Sequence, residues 1–311
     1  MKEKLVVIVG PTAVGKTALS IEVAKKFNGE VISGDSMQIY RGLDIGTAKV
    51  TEAEQDGIPH YMVDILDPTE SFSVADFQQQ VQDNIDTIQQ KDKLPIIAGG
   101  TGLYIQSVLY DYEFAVSERS NEYHEQIESE IEREGIDYVY RRLNRVDPIQ
   151  AEKIHPNNRR RLIRALEVYD RTGMTMTEYK EKQQEESRYD FRIVGLQMDR
   201  PLLYERINNR VDQMIEAGLI DEVNRFYQAG LENNQAMRGI GYKEILPFIK
   251  GEQTMEEAIE TLKRNSRRFA KRQYTWFKNK MPVDWYPITV ETKKQVFQNI
   301  LTDLEGFYKE T

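Results

Sequence analysis

The clearest chemistry in this chain lies in Gly10, Pro11, Thr12, Ala13, Val14, Gly15, Lys16 and Thr17, which follow the spacing G-x-x-x-x-G-K-T. The glycines let successive backbone N–H groups converge on an anion, and a helix starting at the end of the loop adds its partial positive charge. Lys16 supplies a full charge, and the Thr17 hydroxyl can hold a magnesium ion that bridges phosphate oxygens. This spacing reads as a di- or triphosphate site. A carboxylate at Asp35 could serve as general base or as magnesium partner, although Asp-Ser is also ordinary turn chemistry. Gly99-Gly100-Thr101-Gly102 either brings backbone and the Thr101 hydroxyl close to a ligand or only makes a turn. Arg206 and Arg210 stand one helical turn apart, so both can face an oxyanion, or both can lie on a solvated face beside Glu205.

These residues need a scaffold, and the hydrophobic pattern supplies one. Leu5 to Val9 is a short apolar run of the buried-strand type, and Leu19, Val23 and Phe27 fall at helical spacing just after the loop. Further strands are expected at Gly29–Ser33, Tyr61–Leu66 and Lys93–Ala98. A helix capped by Ser73 should run through Phe77, Val81, Ile85 and Ile88. Strands alternating with helices predict an α/β fold, a parallel sheet flanked by helices, of the kind seen in phosphate-loop NTPases. Ligands of such sheets sit at the carboxyl ends of strands, where Gly10, Asp35 and the Gly99 turn all fall. From about Phe114 to Asp190 strand-like runs give way to charged helical patterns, and Phe191–Met198 restores a strand. The expected organisation is a core of 1–113 plus 191–311 around a helical insertion at 114–190. Beyond Lys280 the tail is only loosely patterned.

The chain has 311 residues, 40% of them apolar and 30% charged, as in an ordinary globular protein. It contains no cysteine, which removes disulfides and thiolate metal sites. His60, His124 and His155 are too scattered for a metal cluster. The first strand begins too early for a signal peptide, and no run approaches the roughly 20 apolar residues of a membrane span; a cytoplasmic, monomeric protein with no membrane partner is expected. A net charge of −9 argues weakly against nucleic acid, but charge is unevenly distributed. Arg159, Arg160, Arg161 and Arg164 form one basic stripe. Lys263, Arg264, Arg267, Arg268, Lys271 and Arg272 form another, continuing past Tyr274, Trp276 and Phe277, which suits a phosphate backbone and stacked bases.

Taken in order, the stretches GPTAVGKT (10–17), GDSMQIYRGLDIGTAK (34–49), GGTGLYI (99–105), IHPNNRRRLIRALEVY (154–169) and RGIGYKE (238–244) closely resemble the tRNA dimethylallyltransferases. They span nearly the whole chain, and the second is far narrower than a phosphate loop. The resemblance implies transfer of a dimethylallyl group from its diphosphate to N6 of adenosine 37, in tRNAs reading codons that begin with U, with Mg2+ as cofactor. The partners it implies are the tRNA anticodon stem-loop, gripped by the insertion, and dimethylallyl diphosphate. Under it, Thr12 to Thr17 would line the diphosphate pocket, Asp35 would take the proton of the amine, and Arg206, rather than Arg210, would hold the leaving group. Asp35, Ser36, Met37, Gln38, Thr101, Tyr123, Asn158, Arg159, Arg160, Arg161, Leu162, Arg238, Gly241, Tyr242 and Lys243 would contact tRNA. A small-molecule kinase that binds ATP in the same loop is a rival reading, although Leu94–Ala98 runs into glycine rather than an aspartate. An adenylate isopentenyltransferase and a non-catalytic RNA-binding switch are the others.

Overall fold

The computed structural model describes residues 2–112, 114, 121–182 and 186–309. Six strands form one sheet: β1 (Glu3–Val9), β2 (Gly29–Gly34), β3 (His60–Tyr61), β4 (Leu94–Gly99), β5 (Tyr189–Gln197) and β6 (Asp284–Pro287). Their order is β3-β2-β4-β1-β5-β6, and every pairing is parallel. Parallel sheets need apolar cover on both faces, and the central strands comply: Leu5 to Val9, Ile32, Ile96 and Ile97 are all buried. The fold is the phosphate-loop NTPase-like parallel sheet flanked by helices that the alternating pattern predicts.

Register brings the chemistry together. Val9 pairs with Gly99, and Gly99 with Gly34, so β1, β4 and β2 end side by side. The loops at 10–15, 35–38 and 100–101 therefore leave one edge of the sheet as neighbours. Gly99 allows this closeness, because a Cβ there would lie 2.3 Å from the Gly34 carbonyl oxygen.

Two expectations about elements change. The strand expected over 61–66 stops at Tyr61, because Met62 and Asp64 take positive φ values of 60° and 54° that break an extended run. Only Leu66 returns, as an isolated bridge to Tyr40. The loosely patterned tail contains both β6 and a helix at Lys293–Lys309, whose Phe297, Ile300, Leu301, Leu304 and Phe307 are buried at helical spacing.

The long helix Met255–Lys280 opens with a Thr254 capping box and buries Ala258, Leu262, Ser266, Ala270, Gln273 and Phe277 along one stripe. Its basic face is less open than the sequence implies. Lys263 pairs with Asp212 at 2.7 Å, and an Arg267 N–H donates to Asn208 Oδ1 at 2.6 Å. Arg264, Arg268, Lys271 and Arg272 are exposed.

The chain divides into two compact units, Met1–Leu109 with Arg188–Thr311, and Tyr110–Ser187. The second is helical where described and has its own core, including Ile127, Ile131, Val139, Leu143, Leu162 and Leu166. Residue 113, the expected boundary, and 115–120 and 183–185 of the expected insertion lie outside the described residues.

Candidate active site

A cavity of about 540 Å³ opens at the carboxyl edge of the sheet in the larger unit. Its wall includes Thr12, Ala13, Gly15, Lys16 and Thr17 from the phosphate loop, Asp35 and Gln38 from the turn after β2, and Gly99 and Gly100 after β4. Arg206, Asn209 and Arg210 from the helix Arg200–Glu216, and Gln273 from the long helix, complete much of the rest.

The phosphate loop owes its shape to backbone that few side chains tolerate. Gly10 and Gly15 take φ values of 147° and 111°, and even Ala13 lies in the left-handed region at 66°. Gly15 then caps the helix Lys16–Lys26, whose first turn carries no acidic residue to compete for an anion. Lys16 folds back, its Nζ donating to the carbonyls of Gly10 at 3.0 Å and Pro11 at 2.9 Å. Protein encloses it on most sides although it still meets the cavity. Desolvation lowers its pKa to about 8, with repulsion from Arg210 adding to the fall and attraction to Asp35 opposing it.

Asp35 is the matching opposite charge. Burial raises its pKa, while hydrogen bonds from the Met37 and Gln38 backbone and the charges of Lys16 and Arg210 pull the other way. The Met37 N–H reaches Asp35 Oδ1 at 2.9 Å, an Asx turn that fixes the carboxylate. Turn chemistry and an enclosed, charge-coupled carboxylate thus coexist in one residue. Thr101 supports the turn from the neighbouring loop, its Oγ1 accepting from the Ser36 N–H at 3.2 Å.

The two arginines separate. Arg210 is enclosed near Lys16 and Asp35, and desolvation lowers its pKa. Arg206 is exposed at the rim and spends its Nε–H on the Ala13 carbonyl at 3.0 Å. Arg206 thus braces the loop from the cavity rim, while Arg210 is the more enclosed of the two, beside Lys16 and Asp35.

Some of the other expected contact residues face the protein interior. Tyr242 and Leu162, expected to touch tRNA, are both fully buried. Tyr242 donates its O–H to Glu222 at 2.6 Å, and the same carboxylate accepts N–H bonds from Asp44, Ile45 and Gly46. Leu162 belongs to the apolar core of the helical unit. Gly241 is also buried and uses a φ of 105° to start the helix at Tyr242. Arg238 and Lys243 beside them are exposed. In the helical unit Asn158 caps the helix Arg159–Thr172, Arg159 pairs with Glu128 at 2.9 Å, and Arg160 and Arg161 are exposed. The Tyr123 O–H donates to Asp170.

Among the cavity residues that sequence reasoning missed, two stand out. Gln273 was hidden inside a basic stripe. His60 carried no cluster signal, yet its Nδ1 is 2.8 Å from the Ile58 carbonyl. A carbonyl only accepts, so Nδ1 carries the proton and Nε2 is left as a buried acceptor with no partner among the described residues. Burial lowers the His60 pKa and favours that neutral form.

A glycine loop leading from the first strand of a parallel sheet into a helix, with lysine and threonine opening that helix, defines a phosphate-loop α/β protein. Its cavity joins an anion cradle to an enclosed carboxylate. Residues 38–280 match the family model described as IPP transferase. The tRNA dimethylallyltransferase of Oceanobacillus iheyensis is 57% identical over 310 residues, covering 100% of this chain and 99% of that one. Among solved structures, the full-length tRNA isopentenylpyrophosphate transferase of Bacillus halodurans is 47% identical with a TM-score of 0.75, covering 99% of this chain and 98% of that one. A eukaryotic dimethylallyltransferase captured acting on tRNA is 31% identical with a TM-score of 0.85, covering 98% of this chain and 79% of that one. The chain belongs to the IPP transferase family.

Proposed function

We propose that this protein transfers a dimethylallyl group from dimethylallyl diphosphate to N6 of adenosine 37 in tRNA, releasing pyrophosphate. The observation that carries the mechanism is the shared cavity of Lys16, Arg210 and Asp35, three electrostatically coupled groups under the phosphate loop. The diphosphate would lie against the backbone of 12–17, with Lys16 and Arg210 taking up negative charge as the allylic C–O bond breaks. The exocyclic amine of adenine is a weak nucleophile because its lone pair is delocalised into the ring. As N6 bonds to the allylic carbon, Asp35 accepts its proton, and the electron pair of the broken bond leaves with the diphosphate. Burial helps by raising the basicity of Asp35 toward working pH. A paired adenosine cannot enter such a cavity, so the target base would leave its stack.

Magnesium fits the donor set. Among the described residues no cluster of three His, Cys, Asp or Glu side chains could hold a metal, but Thr17 lines the cavity. An ion bound mainly through phosphate oxygens and water needs little more. Thr17 would hold it, and it would offset phosphate charge when bound.

The exposed Arg159, Arg160, Arg161, Arg238 and Lys243 are the side chains suited to tRNA phosphates, with Ser36, Met37, Gln38 and Thr101 near the target base. The helical unit would then grip the anticodon stem-loop. Among the described residues no helix is long and apolar enough to cross a membrane, in keeping with a cytoplasmic place of action.

Nucleoside mass analysis of an unmodified tRNA, incubated with the protein, magnesium and dimethylallyl diphosphate, tests this reading. One dimethylallyl group on adenosine 37 is expected. Prenylation of free AMP alone, or turnover of ATP with no prenyl transfer, would replace it with a free-nucleotide enzyme or a kinase.

A further inference from the structure

Gln273 belongs to neither the phosphate loop nor the Asp35 turn, yet it touches the first and a neighbour of the second. The Thr12 N–H donates to Gln273 Oε1 at 2.9 Å, and Gln273 Nε2–H donates to the Gly100 carbonyl at 3.1 Å. The next residue, Thr101, continues the path: its N–H donates to the Gly34 carbonyl, and its Oγ1 accepts from the Ser36 N–H, each at 3.2 Å. Those two contacts bracket Asp35. One hydrogen-bonded chain thus runs from the anion cradle through Gln273, Gly100 and Thr101 to the turn that holds the carboxylate.

We propose that Gln273 is a positioning residue that keeps the phosphate loop in register with the Asp35 turn, and so the leaving group in register with the base. This rests on the prenyl-transfer reading above. The chemistry of the side chain makes the role specific. A primary amide carries a donor and an acceptor on one carbon, which this bridge between an N–H and a C=O demands. Glutamate when ionised only accepts, and methionine offers neither a comparable donor nor a strong acceptor. The fit is also steric. A Cβ on Gly100 would sit 2.0 Å from Gln273 Nε2, and one on Gly102 would sit 2.1 Å from Trp276 Cδ1. Both glycines therefore make room for one face of the helix Met255–Lys280, where Gln273 is 5% exposed. Burial matters because a severed bond would leave an orphaned N–H and C=O inside the site. Displacement transfer is sensitive to this register, since misplacing reacting groups by about 1 Å costs on the order of 10²-fold in rate.

The test compares wild type with Gln273→Met and Gln273→Glu in the full chain. Single-turnover prenyl transfer, KM for dimethylallyl diphosphate, tRNA affinity and melting temperature are read for each. Both variants should lose about 10- to 100-fold in the rate of transfer, because glutamate restores only the Thr12 half of the bridge. Affinity for tRNA should change by less than about threefold, since no tRNA-facing side chain is altered. Combining Gln273→Met with Thr101→Val should cost clearly less than the product of the two single losses, as expected for links in one chain. If Gln273→Met does not fold, Gln273→Glu and its pairing with Thr101→Val carry the same comparison. Transfer at the wild-type rate in a folded variant, glutamate restoring full activity, or multiplicative losses would each overturn the proposal. Failure of wild type itself to transfer would instead remove the underlying function, so the two failures are distinguishable.

Discussion

Arg210 and Arg160 are both arginines on helices, and they live in opposite conditions. Arg210 is enclosed in a cavity with Lys16 of like charge, and desolvation lowers its pKa. Arg160 is exposed on the helical unit, next to Arg159, which already pairs with Glu128. Enclosed cations only partly offset by nearby carboxylates such as Asp35 are costly in the free protein and become favourable when an anion arrives or develops. Exposed cations cost little, contribute through many weak phosphate contacts, and are screened by salt. One region is built to stabilise charge as a bond breaks, the other to attract a polyanion.

That contrast can be broken most sharply at the arginine pair. Arg210→Ala should lower kcat by roughly 10²–10³-fold, the usual loss for a charge-stabilising donor. Arg206→Ala, which removes an exposed rim side chain that braces the Ala13 carbonyl, should cost less than about tenfold. Equal losses in steady-state kinetics would erase the distinction between them.

On the other side of the contrast, replacing Arg160 and Arg161 together with alanine should weaken tRNA binding by about tenfold at low salt. The slope of log K against log salt should fall by about 1 to 2. Filter binding across a salt series checks this; an unchanged slope would make both side chains spectators.

A pH profile sharpens the enclosed side. Lys16 is protonated below its lowered pKa of about 8 and neutral above it. In the free enzyme, kcat/KM for the diphosphate should therefore fall by several-fold as pH rises through about 8. The decline in kcat should come later, because a bound anion favours the charged lysine. An alkaline limb starting near the ordinary lysine value would mean that Lys16 is not desolvated.

The smallest effect concerns Tyr242. Tyr242→Phe removes one of the donors to Glu222 but leaves the Asp44, Ile45 and Gly46 N–H groups in place. A loss of about 1 kcal/mol and a shift of about 2 °C in thermal melting are expected. Unchanged stability but lost tRNA binding would restore Tyr242 as a contact residue.

The same contrast explains what could be read from the sequence. The phosphate loop was legible because its chemistry is local: strand, glycines, lysine and helix follow one another within a single stretch. The parallel sheet was legible because buried strands are apolar runs. Asp35 was legible from its place at a strand end. Arg206 and Arg210 could not be ranked, since their difference lies in which one a distant cavity encloses. Tyr242 and Leu162 sit in motif-like stretches whose neighbours are exposed, and only packing shows that these two face inward. Lys263 and Arg267 looked like open basic face because their partners, Asp212 and Asn208, lie on another helix. Gln273 gave no signal, because its partners Thr12 and Gly100 are far away in the chain. The third strand failed for a local reason instead: the positive φ at Met62 and Asp64 is invisible to a hydrophobicity pattern.

The central claim is that Asp35, made more basic by burial, takes the amine proton opposite an enclosed cationic cradle. Its most direct test is single-turnover prenyl transfer with saturating tRNA and diphosphate, followed across pH for wild type and Asp35→Asn. Wild type should lose rate on the acid side above the usual aspartate range. Asp35→Asn should be slower by roughly 10²–10⁴-fold, show no acid limb, and bind tRNA as wild type does. An Asp35→Asn enzyme that transfers the prenyl group at the wild-type rate with the same acid limb would contradict the account.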